Sequence, residues 1–242
     1  MAEIRALIAA AGRGSRAALP YPKTLYPVQG KPILLRICET LRPYDRTPTV
    51  IVSPSGGSPI SECLSAEGVK AHLVLQPEPK GMGEAVLRFA RSPAFDEAEH
   101  VLLIWGDVPF VQSSTITAMV EVHQAHENDF TFVTRVCEQP YTLVLRGPDG
   151  GVTRVLESRE ESVAPPAHGE RDIGLFIFRR EAVMKLLGEE LPGKRGKTTA
   201  EHGFLYVVGH LVDRGLKVEA LPIAKDIEIV SLNRLQDLIG FA

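Results

Sequence analysis

The sequence has few cysteines and no long apolar segment, which limits what this chain of 242 residues can be. Its three cysteines, Cys38, Cys63 and Cys137, are odd in number and far apart, so they indicate neither a disulfide framework nor a metal site. Buried thiols in a reducing cytoplasm are the expected alternative. No apolar run approaches the roughly 20 residues that cross a bilayer, and a strand is predicted almost directly after Met1, where a signal peptide would have a longer apolar core. We therefore expect a cytoplasmic protein that does not enter the membrane.

The sequence also lacks an excess of charge of one sign. Its formal net charge is -3, so no global basic field draws the chain onto nucleic acid or an anionic membrane. Any anionic ligand must therefore be held by locally placed groups.

Short apolar runs alternate with helical segments through the first half of the chain. Strands are predicted at residues 4–11, 49–52, 69–75 and 101–105, and helices at 32–41, 84–91 and from 58 and 113 onward. This alternation is typical of a mostly parallel, doubly wound sheet.

The second half is richer in strands. They are predicted at residues 130–136, 142–145, 152–156, 172–178 and 217–221, with a surface loop at 162–169 and helices at 200–214 and from 232 onward. Nothing marks a linker between independent domains.

A glycine-rich segment follows the first strand and is typical of a phosphate-binding loop. Gly12 and Gly14 let backbone N–H groups approach a phosphate closely. Arg16 can bind phosphate oxygens through its forked guanidinium, and Lys23 adds a compact charge on a loop stiffened by Pro22. Together these groups suit a triphosphate.

Two other phosphate sites have partial matches. The glycines also fit a dinucleotide fingerprint, but that site needs a helix to start there, and Pro20 and Pro22 oppose one. Residues 196–198 supply the tail of a P-loop, but Leu191 stands where its first glycine belongs. A nucleotidyltransferase loop, Gly-x-Gly-Ser/Thr-Arg followed by Pro-Lys, fits every residue. The alternative to a phosphate-binding loop is a glycine-rich turn whose charged side chains are solvated.

At these residues the chain resembles the sugar-1-phosphate nucleotidyltransferases, above all the uridylyltransferase (pyrophosphorylase) domain of the N-acetylglucosamine-1-phosphate enzymes. The resemblance rests on residues 10–25, on 76–85, which resembles the family's Gln…Gly-Thr-Gly-x-Ala segment, and on 105–109, which resembles its Gly-Asp-Val-Pro motif. It implies a three-layer, Rossmann-like α/β fold of the nucleotide-diphospho-sugar transferase type. Such a fold has a mostly parallel twisted sheet and an added β-rich sugar-binding part.

The resemblance also implies an activity. The chain is expected to be a single domain over residues 1–242, with a nucleotide-binding half at 1–125 and a sugar-binding half at 126–242. Its implied reaction is the Mg²⁺-dependent transfer of a nucleoside monophosphate from an NTP, UTP being favoured, to a sugar 1-phosphate. The alternatives are a cytidylyl- or guanylyltransferase acting on another phosphorylated acceptor, and a non-catalytic relative that binds nucleotide sugars.

Asp107 is the strongest candidate for a metal ligand. It follows a predicted strand at the end where open parallel sheets bind ligands, and its carboxylate suits Mg²⁺, although a turn-capping aspartate would look the same. The resemblance makes Asp107 the Mg²⁺ ligand and, with Arg16 and Lys23, a catalytic residue. It also assigns a nucleotide-binding set (Ala10, Ala11, Gly12, Gly14, Gln76 and Gly81) and two sugar-binding residues (Glu157 and Asp172).

The sequence departs from the family at several positions. The family's second metal ligand is an Asn or Asp before a final helix, where this chain has residues 230–232. Asp226 and Glu228 lie close by; we assign the metal to Glu228, with Asp226 and Ser231 as alternatives and a pair of solvated carboxylates as an equally good account. Met82 replaces a Thr, and residues 140–142 replace a Gly-Tyr-Gly segment that contacts the sugar, so the base and the sugar are open.

Overall fold

The computed structural model describes residues 3–12, 19–161, 164–233 and 237. Its strands are β1 (Ile4–Ala9), β2 (Pro27–Val28), β3 (Lys31–Pro32), β4 (Thr49–Val52), β5 (His72–Leu75), β6 (His100–Trp105), β7 (Phe130–Glu138), β8 (Thr142–Arg146), β9 (Val152–Glu157), β10 (His168–Arg179) and β11 (Val218–Leu221). Its helices are α1 (Ile33–Leu41), α2 (Gly57–Ala66), α3 (Met82–Leu87), α4 (Ser113–Ala125), α5 (Ser158–Glu161), α6 (Arg180–Gly188) and α7 (Val207–Asp213).

Seven of these strands form one sheet in the order β11-β7-β10-β6-β1-β4-β5. Neighbours are parallel throughout β6-β1-β4-β5 and between β11 and β7, and only β10 runs antiparallel to the strands beside it. The predicted α/β fold with a mostly parallel sheet is confirmed. The β-rich addition is smaller than expected, because β7, β10 and β11 join the main sheet and the β8–β9 hairpin is what stands apart.

Alternating side chains of the central strands supply two separate hydrophobic cores. Ala6 and Ile8 of β1 pack into the core formed with α1, α2 and α4, whereas Leu7 and Ala9 pack into the core formed with α3, α6 and α7. Both faces of the sheet are therefore covered, which is why its strands read as continuous apolar runs. The predicted three-layer arrangement is confirmed.

Some predicted elements were wrong in position. The segment 193–203, which we call the strap, is irregular, and the helix predicted over 200–214 begins only at Val207. Helix α2 begins at Gly57, one residue before its predicted start, and the Ser58 hydroxyl donates to Glu62. Helix α6 was not predicted. The predicted last helix falls largely outside the described residues, as do residues 162 and 163 of the predicted loop.

The sheet topology opens a crevice at the carboxyl end of β1. From β1 the chain crosses to β4 and β5 on one side, and β6 lies on the other. Ligands of open α/β sheets bind where the strand order reverses in this way. In the part of the chain that the structure describes, no helix is both long and apolar enough to span a membrane.

Candidate active site

A cavity of about 1220 Å³ lies over the carboxyl ends of β1 and β6. Its walls come from the ends of these two strands, the start of α3, the β8–β9 hairpin, the strap and residues 229–231, 233 and 237. Elements from both halves of the chain therefore meet around one space, which is large enough for a nucleotide and a second substrate.

The predicted phosphate loop begins at one end of this cavity. Ala10 and Ala11 are buried, and Gly12 faces the cavity. A Cβ on Gly12 would lie 3.6 Å from Cε of Lys23, so the lysine side chain runs alongside the loop backbone. Gly14 and Arg16 lie outside the described residues.

Lys23 and Asp107, predicted from separate motifs, meet in the cavity. The Lys23 ammonium forms an ion pair with Asp107 Oδ2, and its Nζ also lies 3.4 Å from the carbonyl oxygen of Leu232. Both side chains are largely shielded, at 19% and 14% exposure. The Leu232 N–H donates to the Asp107 carbonyl at 2.8 Å, which ties the C-terminal segment to the end of β6.

Gln76 and Gly81 are also brought together. The Gln76 side chain is buried, and its Nε2 donates to the Gly81 carbonyl at 3.1 Å. Gly81 has a φ of 102°, and a Cβ there would lie 2.4 Å from the backbone oxygen of His202 in the strap. Only glycine fits this position, both for its backbone conformation and for its contact. Met82 and Trp105, which replace family residues, line the cavity beside them.

The two residues assigned to the sugar lie in different environments. Glu157 lines the cavity, and burial raises its pKa to about 7, helped by the nearby carboxylates of Asp172 and Glu160. Asp172 does not line the cavity. It is fully buried, accepting from the Thr142 hydroxyl at 2.6 Å and from the Gly174 N–H at 2.9 Å. Asp172 therefore positions the wall behind the site, and burial raises its pKa as well.

The geometry also reassigns Glu228. This carboxylate is fully buried and accepts from the Gln112 N–H, the Thr115 hydroxyl and the Lys225 N–H. It thereby satisfies donors at the start of α4, as an N-terminal cap does. Glu228 does not line the cavity, so it is not brought together with Asp107 there. Asp226 is exposed and pairs with Arg135, and of the three named alternatives Ser231 alone lines the cavity.

Asn233 and Asp237 line the cavity and were missed from the sequence. The Asn233 N–H donates to Asp237 Oδ2 at 2.9 Å, and its Nδ2 donates to Ser231 Oγ at 2.9 Å. The family pattern asks for an Asn or Asp before a final helix, and the prediction considered residues 226, 228 and 230–232 there; Asn233 was not among them.

The strap was missed as a whole, because residues 196–198 were considered only as the tail of a P-loop and residues 200–203 were assigned to a helix. Its Glu201 and His202 line the cavity, and its Arg195 does so without an ion pair to any described residue. It is held at one side by Gly83, whose N–H donates to the His202 carbonyl at 2.9 Å. At the other side Glu160 accepts from the Thr198 N–H and the Thr199 hydroxyl, both at 2.9 Å.

His202 is the buried centre of the strap. Burial lowers its pKa to about 4, and the charges of Lys194 and Arg195 lower it further. The imidazole is therefore neutral at neutral pH, and its Nε2 lies 3.3 Å from the Tyr206 hydroxyl. Its ring lies against Gly83, where a Cβ would come within 2.6 Å of it. His202 thus packs the strap onto the start of α3.

Comparison with known proteins agrees with this arrangement. The sequence profile of the MobA-like NTP transferase domain matches residues 6–198. The bifunctional protein GlmU of Shouchella clausii (strain KSM-K16) is 28% identical over 217 residues, which cover 89% of this chain and 46% of that protein. GlmU of Geobacter metallireducens is 29% identical over 236 residues, or 96% of this chain and 48% of that protein. The chain spans about half the length of these relatives.

A solved structure shows the same fold. The inositol-1-phosphate CTP transferase from T. maritima matches with a TM-score of 0.69 at 18% sequence identity, covering 91% of this chain and 85% of that chain. The predicted resemblance to nucleotidyltransferases is confirmed. Because the profile match covers residues 6–198, the chain belongs to the MobA-like NTP transferase family.

Proposed function

We propose that the chain transfers a nucleoside monophosphate from an NTP to a sugar 1-phosphate and releases pyrophosphate. The observation that carries the proposal is the contact between Lys23 and Asp107 beside Gly12. A phosphate-binding cation and a carboxylate suited to a metal meet at the end of β1, where the family's nucleotide would lie. We assign this activity to one domain over residues 1–242, with the nucleotide at residues 1–125 and the acceptor at 126–242.

The nucleotide end combines loop backbone with the charge of Lys23. Ala11 and Gly12 line the cavity and would offer N–H groups, whereas the predicted Ala10 N–H already donates to the Ile51 carbonyl at 3.0 Å. Gln76 and Gly81 would contact the base. Arg16 and Gly14 complete the predicted loop in sequence. Lys23 and Arg16 would stabilise the charge on the departing pyrophosphate.

The cavity also suits Mg²⁺. Mg²⁺ needs only one or two protein carboxylates when phosphates complete its shell, and Asp107 offers one on the cavity wall. Asn233, in the same wall, offers an amide oxygen and is a better second ligand than the engaged Glu228. Among the described residues no three His, Cys, Asp or Glu side chains group as a metal site, so the phosphates would supply the rest. When bound, the ion neutralises charge on the reacting phosphates.

The chemistry then needs little from side chains beyond positioning. An oxygen of the acceptor phosphate attacks the α-phosphorus in line, the bond to the β-phosphate breaks, and pyrophosphate leaves. The attacking oxygen is already anionic, so no general base is required. Arg159 and Arg195 line the cavity at the acceptor end and would hold the acceptor phosphate, while Glu157 would accept hydrogen bonds from its hydroxyls.

UTP is the favoured nucleotide because residues 10–25, 76–85 and 105–109 resemble the uridylyltransferase domain of the N-acetylglucosamine-1-phosphate enzymes, but Met82 stands where that family has a threonine. A cytidylyl- or guanylyltransferase with another phosphorylated acceptor is the second candidate. Residues 140–142, which depart from the family's sugar-contacting segment, line the cavity at Tyr141 and Thr142 and favour it.

A panel of four NTPs against several phosphorylated acceptors, read by pyrophosphate release, tests the proposal. We expect Mg²⁺-dependent release that requires an acceptor and is fastest with one nucleotide. Tight NTP binding with no release from any acceptor would identify a non-catalytic relative instead.

A further inference from the structure

Arg171 is a charged side chain in the cavity that the proposed reaction leaves without a role. It lies on β10 and lines the cavity together with Tyr141. Its guanidinium carbon stands 3.9 Å from the centre of the Tyr141 ring, and its Nε donates to the Asp172 carbonyl at 3.2 Å. Among the described residues no carboxylate forms an ion pair with it. The guanidinium also lies within hydrogen-bonding reach of the Cys137 thiol. A guanidinium has five N–H donors, so donors remain for an anion.

Sheet stability does not explain this arginine. Directly opposite Arg171 on β7 is Arg135, and like charges directly opposite on antiparallel strands are unfavourable. Arg135 has its own partners, the carboxylate of Asp226 and the carbonyl of Ala224. Arg171 has no such carboxylate, and the register of β10 breaks immediately after Asp172. Irregularities of this kind redirect side chains near functional sites.

Three other cations of the cavity, Lys23, Arg159 and Arg195, already have a place in the proposed reaction. Lys23 is paired with Asp107 beside the phosphate loop. Arg195 belongs to the strap and is bridged to His202, so it reaches the cavity from a different element than β10. The charge of Arg171 is therefore additional to those that serve the triphosphate and the reacting acceptor phosphate.

We propose that the acceptor carries a second anionic group, a carboxylate or a further phosphate, which the Arg171 guanidinium binds against the Tyr141 ring. This rests on the proposed function, since it names the acceptor class for that same site. Tyr141, which this chain shares with the family's Gly-Tyr-Gly segment, supplies the platform. Thr142, which departs from that segment, is fixed behind it by its hydrogen bond to Asp172.

Acceptors that differ only in this group test the proposal. Pyrophosphate release is measured with a hexose 1-phosphate, the corresponding uronic acid 1-phosphate and the hexose 1,6-bisphosphate. We expect the unmodified protein to prefer one of the two anionic acceptors by about 10- to 100-fold in kcat/KM, the value of a hydrogen-bonded charge contact. A preference for the uronic acid 1-phosphate identifies the second anionic group as a carboxylate, and a preference for the hexose 1,6-bisphosphate identifies it as a phosphate.

Substitution of Arg171 then tests whether this side chain causes the preference for the anionic acceptor. Arg171→Met should remove it through a higher KM for the anionic acceptor, leaving kcat/KM for the neutral acceptor within about threefold, and Arg171→Lys should retain part of it. Arg135→Met removes the same charge from the neighbouring strand and should leave the preference unchanged. Activity with the neutral acceptor and an unchanged Tm show that each variant is folded.

Three results would overturn the inference. A protein that uses the neutral acceptor as well as either acid has no second anion site, although the proposed function stands. An equal loss with all acceptors in Arg171→Met and Arg171→Lys would mean that Arg171 serves the reacting phosphate. No pyrophosphate release with any acceptor would remove both the inference and the proposed function.

Discussion

The two ends of the cavity are built in different ways. At the nucleotide end, the groups follow directly on strands β1 and β6, whose parallel pairing sets their positions. At the acceptor end, the groups come from the hairpin, the strap and β10, which are far apart in sequence and held by side-chain hydrogen bonds. The nucleotide end is therefore a property of the sheet, and the acceptor end is a property of this particular chain. Substitutions at the two ends should separate these contributions.

The largest effect on turnover is expected from substitutions in the ion pair beyond the carboxyl ends of β1 and β6. Asp107→Asn and Lys23→Ala should each lower kcat by about 10²- to 10³-fold, because each removes a charge placed where charge develops in the transition state. Thermal unfolding should show that both variants fold, since the sheet does not depend on this pair. Near-normal turnover in both variants would contradict the assignment of the nucleotide end.

Gly81→Ala should affect both ends at once, because Gly81 contacts Gln76 on one side and the strap on the other. The added Cβ would overlap the His202 backbone, so the strap must shift. We expect KM to rise by about tenfold or more for NTP and acceptor alike, with a loss of about 1–3 kcal/mol in stability.

Gly68→Ala is the matched control for that prediction. Gly68 also has a positive φ, of 65°, but no atom lies within 4 Å of the position of an added Cβ. It should lose some stability through backbone strain and keep both KM values. Equal kinetic effects in the two variants would contradict the role given to the contact with the strap.

Loosening the strap should affect the acceptor end alone. Glu160→Ala removes the carboxylate that accepts from Thr198 and Thr199. We expect KM for the acceptor to rise by about tenfold, since several hydrogen bonds that order the strap are lost, while KM for the NTP stays within about twofold. Initial rates with each substrate varied in turn measure the split. A rise in KM for the NTP alone would contradict the division of the cavity into a nucleotide end and an acceptor end.

The smallest predicted effect is on stability and comes from Glu157. Its folded pKa of about 7 lies above the ordinary value of 4.5, so the folded state binds the proton more tightly. The ionised carboxylate therefore destabilises the fold progressively as the pH rises from 4.5 to 7. Glu157→Gln should raise the free energy of unfolding by about 1–3 kcal/mol at pH 8 and not at pH 4. Urea unfolding at both pH values checks this. Equal changes in the free energy of unfolding at pH 4 and pH 8 would contradict the raised pKa of Glu157.

The same contrast explains what the sequence could predict. Gly12 and Asp107 lie within three residues of the ends of β1 and β6, and Lys23 belongs to a Pro-Lys motif further along the same loop. Local pattern and family motifs therefore identified all three before the structure joined Lys23 and Asp107. The strap has no hydrophobic period, and nothing local connects Arg195 or His202 to α3 or Glu160.

Carboxylates were the hardest residues to interpret. Glu157, Asp172 and Glu228 look alike in sequence, yet one lines the cavity, one supports its wall and one caps α4. Their roles depend on which donors the fold brings to them, and those donors lie more than 25 residues away in the cases of Thr142 and Thr115. Asn233 was not predicted, although it lines the cavity one residue beyond the segment 230–232 in which the family pattern places an Asn or Asp.

The central claim is that this cavity joins a nucleoside monophosphate to a phosphorylated acceptor. The direct measurement is ³¹P NMR of the reaction of NTP and acceptor with Mg²⁺, comparing the unmodified protein with Asp107→Asn. We predict one pyrophosphate and one diphosphate-bridged product per NTP consumed, absent without acceptor and nearly absent in Asp107→Asn. Release of inorganic phosphate and NDP, or consumption of NTP that does not depend on the acceptor, would contradict the account.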